Sequence, residues 1–163
     1  MTLGAEAWCG QVNRLLRPGN QSVVAAQEQK VRVLVVDDNP DFVEAAKVSL
    51  AADRRIEVVG GAANGEEAVR QAAALRPEVV AMDVVMPGLD GIEATKLIRK
   101  HQPGCRVVLV SGSIFVDRGD EGLEAARAAG ASAYVVKSRA VLDLVEVVVS
   151  VARSTGNMSG SSA

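Results

Sequence analysis

Ala81-Met82-Asp83-Val84-Val85-Met86-Pro87-Gly88-Leu89-Asp90-Gly91 delivers one carboxylate from a short apolar run into a loop that Pro and Gly then turn. Val79, Val80, Ala81 and Met82 are continuously apolar, as a strand buried on both faces of a parallel sheet is. Asp83 therefore stands where that strand ends. In open α/β sheets ligands bind along the rim at the carboxyl ends of the strands, which makes an Asp there a functional candidate. The plainer reading is a turn carboxylate that caps the next helix.

Working outward, the same strand-then-chemistry pattern repeats. Residues 31–36, Val-Arg-Val-Leu-Val-Val, form a β-branched run that ends in Asp37-Asp38, and Asn39-Pro40 then opens a helix to about Ala52 as an N-cap followed by proline. Residues 56–61 read as a second strand. Asn64 with Glu67 three positions on has the capping-box spacing, and Ala68, Ala72 and Leu75 continue an apolar helical face. After the strand at 79–82 comes a third helix over 92–101. The fourth strand, 106–110, leads into Ser111-Gly112-Ser113. A polar connection then precedes a helix over 121–129 that Gly130 closes. The fifth strand, 133–136, ends on Lys137, and the last helix runs over 140–153. Its valines alone would also suit a strand, but its place in the alternating series decides for helix.

Alternation of five strands with five helices predicts a doubly wound α/β fold: one parallel sheet, helices on both faces, right-handed crossovers. Residues 31–153 form the domain. Residues 1–30 read as a leading segment, either poorly ordered or with a short helix over 6–16 (Trp8, Val12, Leu15 on one side), that passes into a polar linker over 21–30. Residues 154–163 are a Ser/Gly-rich tail expected to be disordered.

With 163 residues and 48% hydrophobic content the chain can bury one sizeable core. The formal charge of -2 and the lack of a Lys/Arg block give no footprint for nucleic acid or an acidic membrane. No apolar run reaches the roughly 18 residues of a membrane span. Residues 1–30 lack a basic segment followed by an apolar one, so no secretory signal is read and a cytoplasmic location is expected. Cys9 and Cys105 have neither metal-ligand nor disulfide spacing, and Cys105 reads as a small buried filler. His101, the single histidine, falls at a helix end and cannot build a metal cluster.

Asp37, Asp38, Asp83, Ser111 and Lys137 all finish strands, so the topology brings them to one rim. Crowded carboxylates raise one another's pKa values unless a cation sits among them, and hard oxygens at a turn suit Mg²⁺, with Asp37 and Asp38 holding it. A carboxylate can also attack phosphorus, and phosphoryl transfer needs mostly positioning and charge neutralisation. In that chemistry Asp83 is the attacking group, Lys137 adds charge and Ser111 a hydroxyl donor. Singly, each has a plain alternative: a helix-cap pair, a turn serine, a solvated lysine.

This ordered set resembles the receiver domains of two-component response regulators over residues 31–153. The match rests on Asp37-Asp38, on Asp83 with Met86-Pro87-Gly88 and Gly91, on Ser111 with Gly112, and on Lys137. The resemblance implies a flavodoxin-like (CheY-like) fold with Asp83 as phosphoacceptor, and Mg²⁺ held by Asp37, Asp38, Asp83 and the backbone carbonyl of Val85. It further implies switch residues Ser111 and Tyr134, and a histidine kinase or histidine phosphotransfer protein as donor. The implied output is an effector or homodimer met through the face of the fourth helix, fifth strand and fifth helix, in a signalling domain rather than an enzyme. Two features depart from the family pattern: Ser138 follows Lys137 where proline is usual, and the connection after Ser113 is longer. The stretch after residue 153 is too short for an output domain, so the chain is read either as a single-domain regulator or as a receiver cut from a longer protein.

Two other classes compete with this reading. A haloacid dehalogenase-type Mg²⁺-dependent phosphohydrolase also pairs a strand-end Asp with a lysine, but it places its nucleophile after the first strand with a second Asp two positions on, and position 39 here is Asn. A phosphorylation-independent scaffold would predict a damaged acidic cluster, and this one is complete. On the last helix Asp143, Glu146, Ser150 and Arg153 make a narrow polar stripe, so its many valines and leucines exceed one buried face and predict a contact surface. Val85 and Ser113, two positions after Asp83 and Ser111, flank the path of a hydrolytic water; neither can hold one well, which predicts a long-lived phosphoryl group.

Overall fold

The computed structural model describes residues 29–112 and 114–154. The helix expected at 6–16, nearly all of the linker and the tail after Ser154 lie outside the described residues. Strands β1 (Val31–Val36), β2 (Ile56–Ala62), β3 (Val79–Asp83), β4 (Arg106–Ser111) and β5 (Ala133–Val136) form one parallel sheet in the order β2-β1-β3-β4-β5. Helices α1 (Pro40–Ala51), α2 (Gly65–Leu75), α3 (Gly91–His101), α4 (Ile114–Ala128) and α5 (Lys137–Arg153) connect and cover it. The doubly wound fold expected from the alternation is the fold observed.

Pleating sorts the strand residues into two cores. Val33, Val35, Val79, Ala81, Val108 and Val110 face α1 and α5, packing on Val43, Ala46, Leu50, Leu144 and Val148. Leu34, Val36, Val80, Met82, Val107 and Leu109 face the other way, onto Ala68 and Ala72 of α2, Ala94 and Ile98 of α3 and Ala126 of α4. Because both faces are dry, the central strands need the unbroken apolar runs seen in the sequence.

The caps read from the sequence are present. Asn39 Oδ1 accepts from the backbone N–H groups of Asp41 (3.0 Å) and Phe42 (3.4 Å), and Pro40 occupies the first helical position. Asn64 Oδ1 accepts from Glu67 N at 2.8 Å while the Glu67 carboxylate accepts from Ala63 N at 2.9 Å. Cys105 is buried as expected, and burial pushes its thiol up to about 11.

Two boundaries differ from expectation. The segment expected to be a polar connection up to residue 121 is helical from Ile114. Gly119, Asp120 and Gly122 weaken its intrinsic propensity, and tertiary context overrides so weak a local preference. The last helix, expected from about residue 140, starts at Lys137 directly after β5. Val136 stands at its cap and makes no side-chain capping bond, so nothing local marks the boundary. Among the described residues no peptide bond is cis, the Lys137–Ser138 bond included.

The surplus apolar surface of α5 is mostly consumed by packing. Leu144, Val148 and Val149 are buried, and Val145, Val147 and Val151 are partly buried against the same core. What stays exposed lies in its first two turns, Val141 (49%) and Leu142 (78%). Among the described residues no helix is long and apolar enough to cross a membrane.

Candidate functional site

The strand order reverses between β1 and β3, the point in a doubly wound sheet where successive connections leave toward opposite faces and open a crevice at the strand ends. Asp37 and Asp38 follow β1, and Asp83 is the last residue of β3. Their carboxylates each offer an oxygen within 4.8 Å of the others. Asp37 and Asp83 are buried, and Asp38 faces solvent.

Local hydrogen bonds fix these side chains. Asp37 Oδ1 accepts from Asn39 N at 2.8 Å, which ties the carboxylate to the start of α1. Asp83 Oδ1 accepts from Val85 N at 3.4 Å. Lys137, reaching in from the first turn of α5, places Nζ 2.6 Å from Asp37 Oδ2 and 3.3 Å from Asp83 Oδ2. The contact to Asp37 is an ion pair without hydrogen-bond angles, so the buried Asp37 Oδ2 accepts no hydrogen bond. The ammonium also lies 4.7 Å from the centroid of the Phe42 ring.

The loop after Asp83 is pinned by close backbone approach. A Cβ on Gly91 would lie 2.1 Å from the Asp83 carbonyl oxygen, and one on Gly65 would lie 2.2 Å from that of Leu89. Only hydrogen fits at either place. Leu89 N also donates to the Glu66 carboxylate at 3.2 Å, so the start of α2 clamps this loop from the side.

Burial pushes the Asp83 carboxyl above its ordinary value, the charge of Asp37 adds to the rise, and Lys137 opposes it. For Lys137 burial alone would lower the ammonium, but its close contact with the Asp37 carboxylate and the charge of Asp83 prevail and raise it. An acid reluctant to ionise beside another buried acid is a site short of positive charge. Three hard carboxylate oxygens, one of them buried without a hydrogen bond, fit a divalent cation such as Mg²⁺. A cleft of about 400 Å³ opens beside them, lined by Asp37, Asp38, Pro40, Lys47 and Glu67 among others.

Ser111 closes β4 and is fully buried, with Val136 as its β5 partner in register. Tyr134 pairs with Leu109 and packs half-buried in the core on the α4 side of the sheet. Thus Asp37, Asp38, Asp83 and Lys137 converge, Ser111 ends the neighbouring strand, and Tyr134 lies two registers further back. Val85 is at the mouth of the site, 53% exposed, and Ser113 lies outside the described residues. Sequence reading overlooked Phe42 and the clamp of Gly65, Glu66 and Leu89. The available signal for Phe42 was an aromatic in the first turn after the acidic pair, in a chain only 2% aromatic.

Fold and rim together define a flavodoxin-like α/β domain with an acidic crevice at its switch point. The family model described as the response regulator receiver domain matches residues 33–149, and the chain belongs to that family, the receivers of two-component signalling. Among curated relatives it is 47% identical over 108 residues to a protein-glutamate methylesterase/protein-glutamine glutaminase of Alkalilimnicola ehrlichii, covering 66% of this chain and 27% of that protein. It is 38% identical over 119 residues to the response regulator GacA of Pseudomonas viridiflava, covering 72% and 53%. The chain spans between about a quarter and about half of the length of these relatives. The response regulator domain of Thermotoga maritima CheB superposes with a TM-score of 0.70 at 33% identity, covering 77% of this chain and 98% of that one.

Proposed function

We propose that Asp83 is the phosphoacceptor of this receiver domain, charged by a partner histidine kinase or histidine phosphotransfer protein. The observation that carries this reading is the buried Asp83 carboxylate beside the Asp37-Asp38 pair at the sheet's switch point, with the Lys137 ammonium in contact with both Asp37 and Asp83. An Asp83 oxygen attacks the phosphorus of the donor phosphohistidine. The P–O bond forms as the P–N bond breaks, and the electron pair leaves with the imidazole. Lys137 compensates charge on the transferred oxygens and the Ser111 hydroxyl donates to one of them.

Asp37, Asp38, Asp83 and the Val85 carbonyl would hold Mg²⁺, which when bound supplies the charge that the crowded carboxylates and a phosphoryl oxygen require. Ser111 and Tyr134 would couple the site to the face of α4, β5 and α5. With a coupling of about 1 to 3 kcal/mol the switch is a bias on that face rather than an all-or-none gate. That face meets an effector or a second copy of the chain; Val136, Val141 and Leu142 offer it exposed apolar surface. Residues 31–153 act as the signalling unit, between a leading segment and a tail.

The test is incubation with acetyl phosphate, or a phosphohistidine donor, in Mg²⁺ buffer, read by intact-protein mass spectrometry. One phosphoryl group is expected on the parent and none on Asp83→Asn. Equal labelling of the two refutes the assignment.

A further inference from the structure

Lys137 is poorly placed for a cation by its own helix. It is the first residue of α5, where the macrodipole presents its positive end, and the first turn of α5 contains no acid to offset it. Its ammonium is held from outside the helix, by Asp37 at 2.6 Å, Asp83 at 3.3 Å and the Phe42 ring at 4.7 Å. The nearer carboxylate is thus Asp37, not the residue that takes the phosphoryl group.

The ring differs from the two carboxylates in a way that bears on this. A carboxylate neutralises the ammonium and holds it along defined directions, whereas an aromatic face attracts a cation over a broad area without consuming its donors. Phe42 is itself fixed. Its backbone N–H donates to Asn39 Oδ1 at 3.4 Å in the capped first turn of α1, and its side chain packs against the core between α1 and α5.

We propose that Phe42 is a positioning residue for phosphoryl transfer: its ring face carries the Lys137 ammonium within the site, so that Lys137 can leave Asp37 for the phosphoryl oxygens on Asp83. This rests on the reading of Asp83 as phosphoacceptor. Without the ring, Lys137 stays on Asp37 or swings to water, since its side chain is already 25% exposed.

The experiment compares the full chain with Phe42→Leu, Phe42→Met, Phe42→Tyr and Phe42→Trp. Labelling rates with acetyl phosphate are measured across donor concentrations in Mg²⁺ buffer, and melting temperatures are recorded beside them. Phe42→Leu should slow labelling at saturating donor by about fivefold, the factor a partly desolvated cation–π contact supplies. Phe42→Tyr should bring the rate back to within about twofold of the parent, because its ring presents a comparable face. Should Phe42→Leu melt early, Phe42→Met carries the comparison, since it fills the space with a flexible apolar chain and no ring. The Lys137 ε-methylene protons should be shifted upfield by the ring in the parent and return to ordinary values in Phe42→Leu, a signature independent of any phosphoryl group.

A Phe42→Leu rate equal to that of a labelled parent overturns this inference alone, as does a Phe42→Tyr variant as slow as Phe42→Leu. A parent that takes no label overturns the phosphoacceptor reading and this inference with it.

Discussion

Replacing Lys137 by methionine isolates the electrostatic debt of the rim. The stem volume is kept and the charge is lost. The variant then buries the Asp37 and Asp83 side chains, 0% and 6% exposed, with no cation between them. Removing one partner of a fully buried pair costs about 3 to 5 kcal/mol. Because the Lys137 side chain is 25% exposed and Asp38 opens the site to water, the expected loss is smaller, about 2 to 3 kcal/mol. For a domain of this size that lowers the melting temperature by about 10 °C.

Magnesium ion reverses the effect. A ligand at about 100 times its dissociation constant stabilises the folded state by about 2.7 kcal/mol, and in Lys137→Met it meets carboxylates from which no ammonium must first be displaced. The melting-temperature gap should therefore be wide in EDTA and narrow in excess Mg²⁺. It should also narrow on acidification toward the ordinary carboxylate range. The Asp83 carboxyl is already raised by burial and by Asp37, and losing Lys137 raises it further. A folded-state pKa above the unfolded value gives stability that is full below the ordinary carboxylate pKa and is lost as pH rises through the folded one. Thermal melts of both proteins in EDTA and in Mg²⁺ decide the matter. A gap that is absent in EDTA, or unchanged by Mg²⁺, refutes the view that Lys137 offsets a cation-deficient cluster.

Two further outcomes follow from the loop after Asp83. Gly91→Ala sets a methyl against the Asp83 carbonyl and the Val84 Cα at 2.1 and 2.9 Å, backbone atoms that cannot step aside, so a loss of about 3 kcal/mol is expected by urea denaturation; a loss under about 1 kcal/mol would show that the loop is not clamped there. Val85→Asn puts an amide at the mouth of the site, two positions after the proposed phosphoacceptor Asp83, and should speed decay of the phosphorylated protein in Mg²⁺ buffer by about threefold or more by orienting a water; unchanged decay means that water positioning at Val85 does not limit the lifetime.

How much of this was legible in the sequence depends on how local each signal is. The runs at Val31–Val36 and Val79–Asp83 report burial on both faces, and Asn39 and Asn64 announce their helices, because strand pattern and caps are written within a few residues. Once the alternation is known, connection rules bring the strand ends together without further information. The start of α4 was hidden because Gly119 and Gly122 speak against helix locally, and that of α5 because no capping side chain marks it. The Phe42–Lys137 and Glu66–Leu89 contacts were hidden for a different reason. They join residues far apart in the chain, and neither a period nor a cap carries a distance between elements.

Charge balance links those hidden contacts to the visible motif. Three carboxylates and one ammonium leave the rim with two surplus negative charges, and a phosphoryl group on Asp83 adds to the deficit of positive charge. If a divalent cation takes the same Asp37 oxygen, Oδ2, that already lies 2.6 Å from Nζ, the two cations repel each other across it. On the proposed function that repulsion favours a shift of either the oxygen or the ammonium once the cation and the phosphoryl group are bound. The Asp37 carboxylate is tied at Oδ1 to Asn39 and buried, whereas Lys137 hangs on a flexible four-carbon stem that is partly exposed, so the ammonium is the part free to travel. From where it stands it already reaches both Asp37 (2.6 Å) and Asp83 (3.3 Å), with the centroid of the Phe42 ring 4.7 Å away. On the proposed function the resting ion pair is a held reserve of charge as well as a stabilising contact, and the N-cap and first turn of α1, which supply Asn39 and Phe42, set where that reserve is kept.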